Sequence, residues 1–170
     1  MDVFSRCLAF TLAEEGGFSN DAADPGNWTG GAVGAGALRG TKFGISAASY
    51  PSLNIEGLSE ADAATIYRKD YWSVLAAEDL SYPVALAAFD AAVNAGARRS
   101  ICWLQLAAGV DADGVLGPAT RMAVAAGDPL GLAKEALVRR LDYTARLPDW
   151  SHFGLGWARR MINLAVAIAF

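Results

Sequence analysis

The chain is poor in cysteine, histidine and charge, and each scarcity removes a class of function. Two cysteines, Cys7 and Cys102, in 170 residues cannot build a disulfide framework. Both fall inside apolar helical patterns and read as small buried hydrophobes. The single histidine, His152, has only Asp149 as a close carboxylate and no cysteine nearby, so no metal site is expected. Charged residues make up 19% of the chain and the net charge is -4, which argues against duplex nucleic acid, whose binding needs a basic face. The arginine pairs Arg98-Arg99, Arg139-Arg140 and Arg159-Arg160 leave room for a local basic groove only. The apolar run from Met161 to Phe170 falls short of the roughly twenty residues a membrane-spanning helix needs, and it reads as a buried last helix. The acidic start Met1-Asp2 carries no secretory signal, so synthesis in the cytoplasm without a signal peptide is expected.

What is present is a large apolar fraction, 54%, enough for a core without metal or disulfide support. Helical spacing predicts helices over about residues 2–15, 59–75, 83–95, 98–108, 128–147 and 149–169, with a further helix opening at Pro118. Between Gly16 and Gly44 the composition turns glycine-rich, with Asp24-Pro25-Gly26 and Gly30-Gly31 as turn signals. Loops of this length in compact domains are usually functional. Gly40 to Ser46 suggests a strand in a small irregular hairpin, after which Ser46 is expected to cap a short helix through Tyr50. The expected class is mainly α (α+β), a helical globule with one glycine-rich lobe.

The stretch Glu14-Glu15-Gly16-Gly17-Phe18-Ser19-Asn20-Asp21-Ala22-Ala23-Asp24-Pro25-Gly26 is where chemistry is expected. A carboxylate at a helix C-terminus meets the partial negative charge of that end, so Glu15 gives up local stability for an acid that holds its proton. Asp24, in a polar loop, suits the ionised role, with Asp21 as its competitor and Glu14 as a solvated neighbour. Two carboxylates in contrasting environments are what glycoside hydrolysis uses: one protonates the leaving oxygen, the other activates water or stabilises the developing cation. Thr41 and Lys42 are candidates to line the cleft, Lys42 against a substrate carboxylate, and Trp28 to stack on a sugar face. Tyr71 and Trp72 read as core residues. Asp90 and Asn94, four apart on one helix, read as a buried hydrogen-bonding pair, with Asn94 also a candidate for substrate contact. Arg160 reads as an ion-pair partner and Asp113 as the turn residue that holds Gly114.

Glu15-Gly16-Gly17-Phe18-Ser19-Asn20-Asp21 with Asp24-Pro25-Gly26 resembles the Glu-Gly-Gly-Tyr motif of glycoside hydrolase family 108, bacterial and phage N-acetylmuramidases. The resemblance continues through Gly40-Thr41-Lys42-Phe43-Gly44-Ile45-Ser46, Leu58 to Ala63, and Ile66-Tyr67-Arg68-Lys69-Asp70-Tyr71-Trp72. The second half resembles the predicted peptidoglycan-binding region that accompanies the family: Phe89-Asp90 with Val93-Asn94-Ala95-Gly96, Trp103-Leu104-Gln105, Asp113-Gly114-Val115-Leu116-Gly117-Pro118-Ala119-Thr120, and Phe153-Gly154-Leu155-Gly156-Trp157-Ala158-Arg159-Arg160. Phe18 stands where the motif more often has Tyr, and residues from Asn27 to Arg39 lengthen the loop.

The resemblance implies a lysozyme-like fold and cleavage between N-acetylmuramic acid and N-acetylglucosamine, with the catalytic Glu falling on Glu15. It also implies a muramidase region over 1–82 and a peptidoglycan-binding-like helical region over 83–170, packed as one body. On this reading the partner is bacterial peptidoglycan, no cofactor is used, and there is no nucleic-acid partner and no stable membrane insertion. The chain is expected as a monomer unless it is part of a phage-like particle. It is expected to act at the cell wall or periplasm, or within such a particle. The rival reading is a non-catalytic peptidoglycan-binding protein or a structural component of a phage-like particle.

Overall fold

The computed structural model describes all of Met1–Phe170. It is mainly helical with one small antiparallel hairpin, the α+β class expected. The chain packs as two units: Thr11–Tyr67, and Met1–Phe10 together with Arg68–Phe170.

Helix α1, Val3–Glu14, starts where Asp2 accepts a hydrogen bond from the Ser5 amide (2.7 Å) and stops at the Gly16-Gly17 pair. In the smaller unit it is followed by a single 3-10 turn, Pro25–Asn27, and by strands β1, Thr41–Lys42, and β2, Ile45–Ser46. Thr41 stands opposite Ser46 and Lys42 opposite Ile45. The two-residue connection, Phe43-Gly44, has φ of 52° and 73°, both positive as a type I′ turn demands. The Ser19 amide donates to the Thr41 carbonyl (2.8 Å) and the Ser19 carbonyl accepts from the Thr41 amide (2.9 Å), so the segment after α1 docks on β1 like a third strand. A second bridge joins Trp28 to Leu38. The glycine-rich stretch is therefore tied together by backbone bridges. The short helix expected from Ser46 to Tyr50 does not form. Ser46 closes β2, and its hydroxyl accepts from the Ser49 amide (3.2 Å) in a single turn, because Pro51 disfavours helical geometry at the residue before it. Helix α2, Glu60–Tyr67, opens with a reciprocal cap in which the Ser59 amide donates to Asp62 (2.9 Å) and the Asp62 amide to the Ser59 hydroxyl (3.2 Å).

The larger unit resumes with a π turn, Arg68–Trp72, and one α turn, α3 (Ser73–Leu75), where a continuous helix to residue 75 was expected. The extra residue in the turn swings Trp72 into the core, edge-on to Phe4 (5.3 Å between ring centroids) and Phe89 (5.7 Å), while the Arg68 guanidinium covers the Phe4 ring at 3.9 Å. Helix α4, Tyr82–Ala95, is buried at every position from Val84 to Ala92 and takes the middle of the unit. Around it pack α5 (Ala97–Ala107), α7 (Pro129–Thr144) and α8 (Trp150–Ala169); α6 spans Pro118–Ala126.

The one charge on α4, Asp90, is fully buried and lies 2.6 Å from Arg140 on α7 and 2.7 Å from Arg160 on α8. This corrects the expected Asp90–Asn94 pair. The exposed Asn94 donates its amide to the Asp90 backbone carbonyl (2.8 Å), the partner within reach one turn back, and two arginines take the carboxylate. Buried Gln105 assembles the loop before α6: its amide donates to Asp113 (2.7 Å) and to the Thr120 hydroxyl (3.0 Å), and its carbonyl accepts from the Gly114 amide (2.9 Å). Cys7 is buried as expected. Cys102 is only half-buried, because its side of α5 faces the Ala112 carbonyl (3.6 Å) in that loop. Nor is α8 buried as a whole. Met161, Leu164 and Ile168 face inward while Leu155, Ile162 and Val166 stand outward, and Met161, Ile162 and Ile168 border with α7 an open apolar groove of about 560 Å³. No helix is long and apolar enough to cross a membrane.

Candidate active site

The candidate chemistry lies in the smaller unit, and the hairpin organises it. Glu15 follows the last residue of α1, its amide still bonded to the Thr11 carbonyl (3.0 Å), so the helix end fixes where its side chain starts. Its carboxylate reaches the hairpin tip: a Cβ added to Gly44 would lie 2.8 Å from Glu15 Oε2. The same point is 2.8 Å from the hydroxyl of Tyr67, a residue buried at the end of α2. That hydroxyl donates to the Phe43 carbonyl (2.8 Å) in the same turn. Glycine at 44 thus serves twice: it accepts a positive φ, and it leaves the space the Glu15 carboxylate occupies.

Asp24 belongs to the other end of the hairpin. Its carboxylate caps the 3-10 turn through the Gly26 amide (2.8 Å) and is exposed. Gly26 packs on Ser46, with 3.8 Å from its Cβ position to the Ser46 Cβ, and its carbonyl accepts from the Ala48 amide (3.0 Å). Directly opposed residues of an antiparallel pair share a face, so Thr41 lies on the side of Ser46 that meets the Asp24 loop. From Gly44 to Ser46 the strand advances roughly 7 Å, which sets the Glu15 and Asp24 attachments apart on one rigid ruler.

The other candidates have assigned contacts. Asp21 is exposed and caps the Ala23 amide (2.9 Å). Trp28 is half-buried, and its indole N–H donates to the Ala22 carbonyl (2.9 Å), which anchors the loop between Asp21 and Asp24. Lys42 donates to the Glu56 carbonyl (2.8 Å). Asn94 sits on α4 of the larger unit. A cleft of about 340 Å³ in the smaller unit is lined by Phe18, Asn20 and Glu56 among others, but by none of Glu15, Asp24 and Thr41. The convergence on Gly44 is the better guide to the chemistry, because it brings two specific polar atoms, Glu15 Oε2 and the Tyr67 hydroxyl, up to the same glycine rather than merely enclosing an empty volume. Tyr67 was not legible as a site residue, since its spacing in α2 reads as a core position.

Residues 8–96 match the family model for glycosyl hydrolase 108, and residues 99–162 match a predicted peptidoglycan domain. The chain belongs to glycoside hydrolase family 108. Its structure is similar to that of Brucella abortus SagA, with a TM-score of 0.81 and 30% identity over 98% of this chain and 94% of that one. No curated protein matches it. Family 108 membership makes the chain a glycoside hydrolase, and the second match gives it a peptidoglycan-directed role. The matched family 108 segment holds Glu15, Gly44 and Tyr67, and also Asp24 and Thr41.

Proposed function

We propose that the chain is an N-acetylmuramidase, cleaving the glycosidic bond between N-acetylmuramic acid and N-acetylglucosamine in peptidoglycan. Glu15 is the general acid: it gives its proton to the glycosidic oxygen as the bond to the anomeric carbon breaks, and a water adds to that carbon, giving up the proton that returns Glu15 to its acid form. Asp24 stabilises the positive charge that develops on the sugar ring or orients the attacking water, and Thr41 assists that water. The observation that carries this reading is the Glu15 carboxylate lodged at Gly44, a fixed acid on a hairpin whose other end bears the Asp24 loop. Action is then at the cell wall.

Clearance of purified cell walls, followed by turbidity, tests it. Wild type is expected to clear them with release of new reducing ends and no new amino ends. Glu15→Gln is expected to fall by roughly 10²–10⁴-fold, the usual contribution of a positioned general acid. Equal clearance by both proteins rejects Glu15. Clearance by neither favours a non-catalytic wall-binding protein, and new amino ends would mean an amidase or peptidase.

A further inference from the structure

The first two turns of α8 carry a feature the catalytic reading leaves unused. Trp150, Phe153 and Trp157 recur at spacings of three and four on one stripe of the helix. Trp157 stands between the other two, with ring centroids 6.1 Å from Trp150 and 5.9 Å from Phe153, the latter pair only 34° from parallel. Large aromatic side chains usually supply the core, yet the buried positions of α8 are Gly154, Met161, Leu164 and Ile168. Phe153 is 58% exposed and both tryptophans are half-buried. Gly154 makes the arrangement possible: a Cβ there would lie 2.6 Å from Trp150 Cδ2, so its absence lets the indole lie down on the helix. Exposed His152, its ring 6.4 Å from Phe153, and exposed Asp149 supply a polar rim.

We propose that Trp150, Phe153 and Trp157 form a stacking platform for the uncharged sugar backbone of the glycan strand. The inference rests on the peptidoglycan reading and gives it a second place of contact. Pyranose rings present a face of C–H groups that packs on aromatic rings, while hydroxyl and acetamido groups at the edge accept or donate hydrogen bonds to a polar rim. All three rings lie inside the segment that matches the predicted peptidoglycan domain. Charge points the same way. A chain of net charge -4 gains nothing overall from the acidic stems of peptidoglycan, so neutral stacking is the contact it can make at any ionic strength.

The test is binding to purified sacculi and to a soluble chitin oligosaccharide. It uses the full chain carrying Glu15→Gln so that the wall is not consumed. Phe153→Ala, at the most exposed ring, is expected to weaken both interactions roughly five- to tenfold with an unchanged melting curve, the scale of one aromatic contact. Trp157→Phe, which keeps a ring, should retain most of the binding, and raising salt should leave it unchanged. Folded Phe153→Ala that binds like its parent overturns the platform. So does binding to sacculi that salt abolishes while the oligosaccharide is ignored, which would place recognition on the stem peptides. Ring-dependent binding alongside a wild type that clears no wall would uphold the platform and sink the hydrolase reading, whereas wall clearance with ring-independent binding would do the reverse.

Discussion

Gly44 is the position where the smallest change should have the largest effect. A methyl group there meets Glu15 Oε2 and the Tyr67 hydroxyl at 2.8 Å each, and the backbone φ of 73° costs a non-glycine residue about 1 kcal/mol before any collision is counted. Gly44→Ala is therefore expected to displace the acid, with kcat on walls falling on the order of a hundredfold. Tyr67→Phe separates positioning from packing. It keeps the ring and removes the donor to the half-buried Phe43 carbonyl, which should cost about 0.5–1.5 kcal/mol of stability, the net worth of one hydrogen bond. If Tyr67 serves the hairpin tip, kcat drops while KM stays near wild type. Unchanged kcat in folded Tyr67→Phe would reduce that hydroxyl to a structural part. Asp90→Ala belongs to another class. It takes the carboxylate away from buried Arg140 and half-buried Arg160 and is expected to lower stability by about 3–5 kcal/mol, read from denaturant unfolding.

Among elements, helices were legible where local chemistry marks their ends: Asp2 before α1, Ser59 with Asp62 before α2, Gly96 between α4 and α5, Pro118 opening α6. The fold class followed from these. What stayed hidden depends on residues far apart in the chain. The π turn at Arg68–Trp72 brings Trp72 against Phe4 and Phe89, which also meet each other edge-on, and nothing within α2 announces that three-ring cluster. The hairpin turn uses Phe43 rather than an Asn or Asp before its glycine, so the usual signal of a type I′ turn was missing. The candidate site was half legible. Glu15 and Asp24 stand out by type and position, but their link through Gly44 and Ser46 needs coordinates. The loop between α5 and α6 is a similar case, since Asp113 reads as a turn residue while its organiser, Gln105, reads as an ordinary helix residue. Gln105→Leu removes the partners of Asp113, Gly114 and Thr120 together. Destabilisation of about 1–3 kcal/mol is expected, with faster hydrogen exchange at the Gly114 amide than in α4. Uniform acceleration across the larger unit would instead mean that the loop unfolds only with the rest.

For the molecule as a whole, the ionisable groups bound a pH range of full stability. On the acid side stand three carboxylates held below their ordinary range by hydrogen bonds. Asp2 is held by the Ser5 amide and hydroxyl, Asp62 by the Ser59 hydroxyl and amide, and Asp113 by the Gln105 side chain and the Val115 amide. A depressed pKa adds stability that is present above the unfolded value of 3.8 and is lost as pH falls through the folded value. On the alkaline side stands Cys7. Burial in the apolar core raises its thiol from 9.0 to about 12, a rise that the neighbouring Arg6 opposes and Asp90 reinforces. The sign is opposite: stability is full below 9.0 and is lost up to about 12, because only the unfolded thiol ionises in that interval. The full loss is on the order of 4 kcal/mol. Melting temperature measured against pH should therefore show a plateau with two edges moved by different variants. Asp113→Asn should soften the acid edge and leave the alkaline one in place. Cys7→Ala should lower the plateau through the lost packing and flatten the alkaline edge, and a curve that still falls as steeply above pH 9.0 would assign that edge to another group.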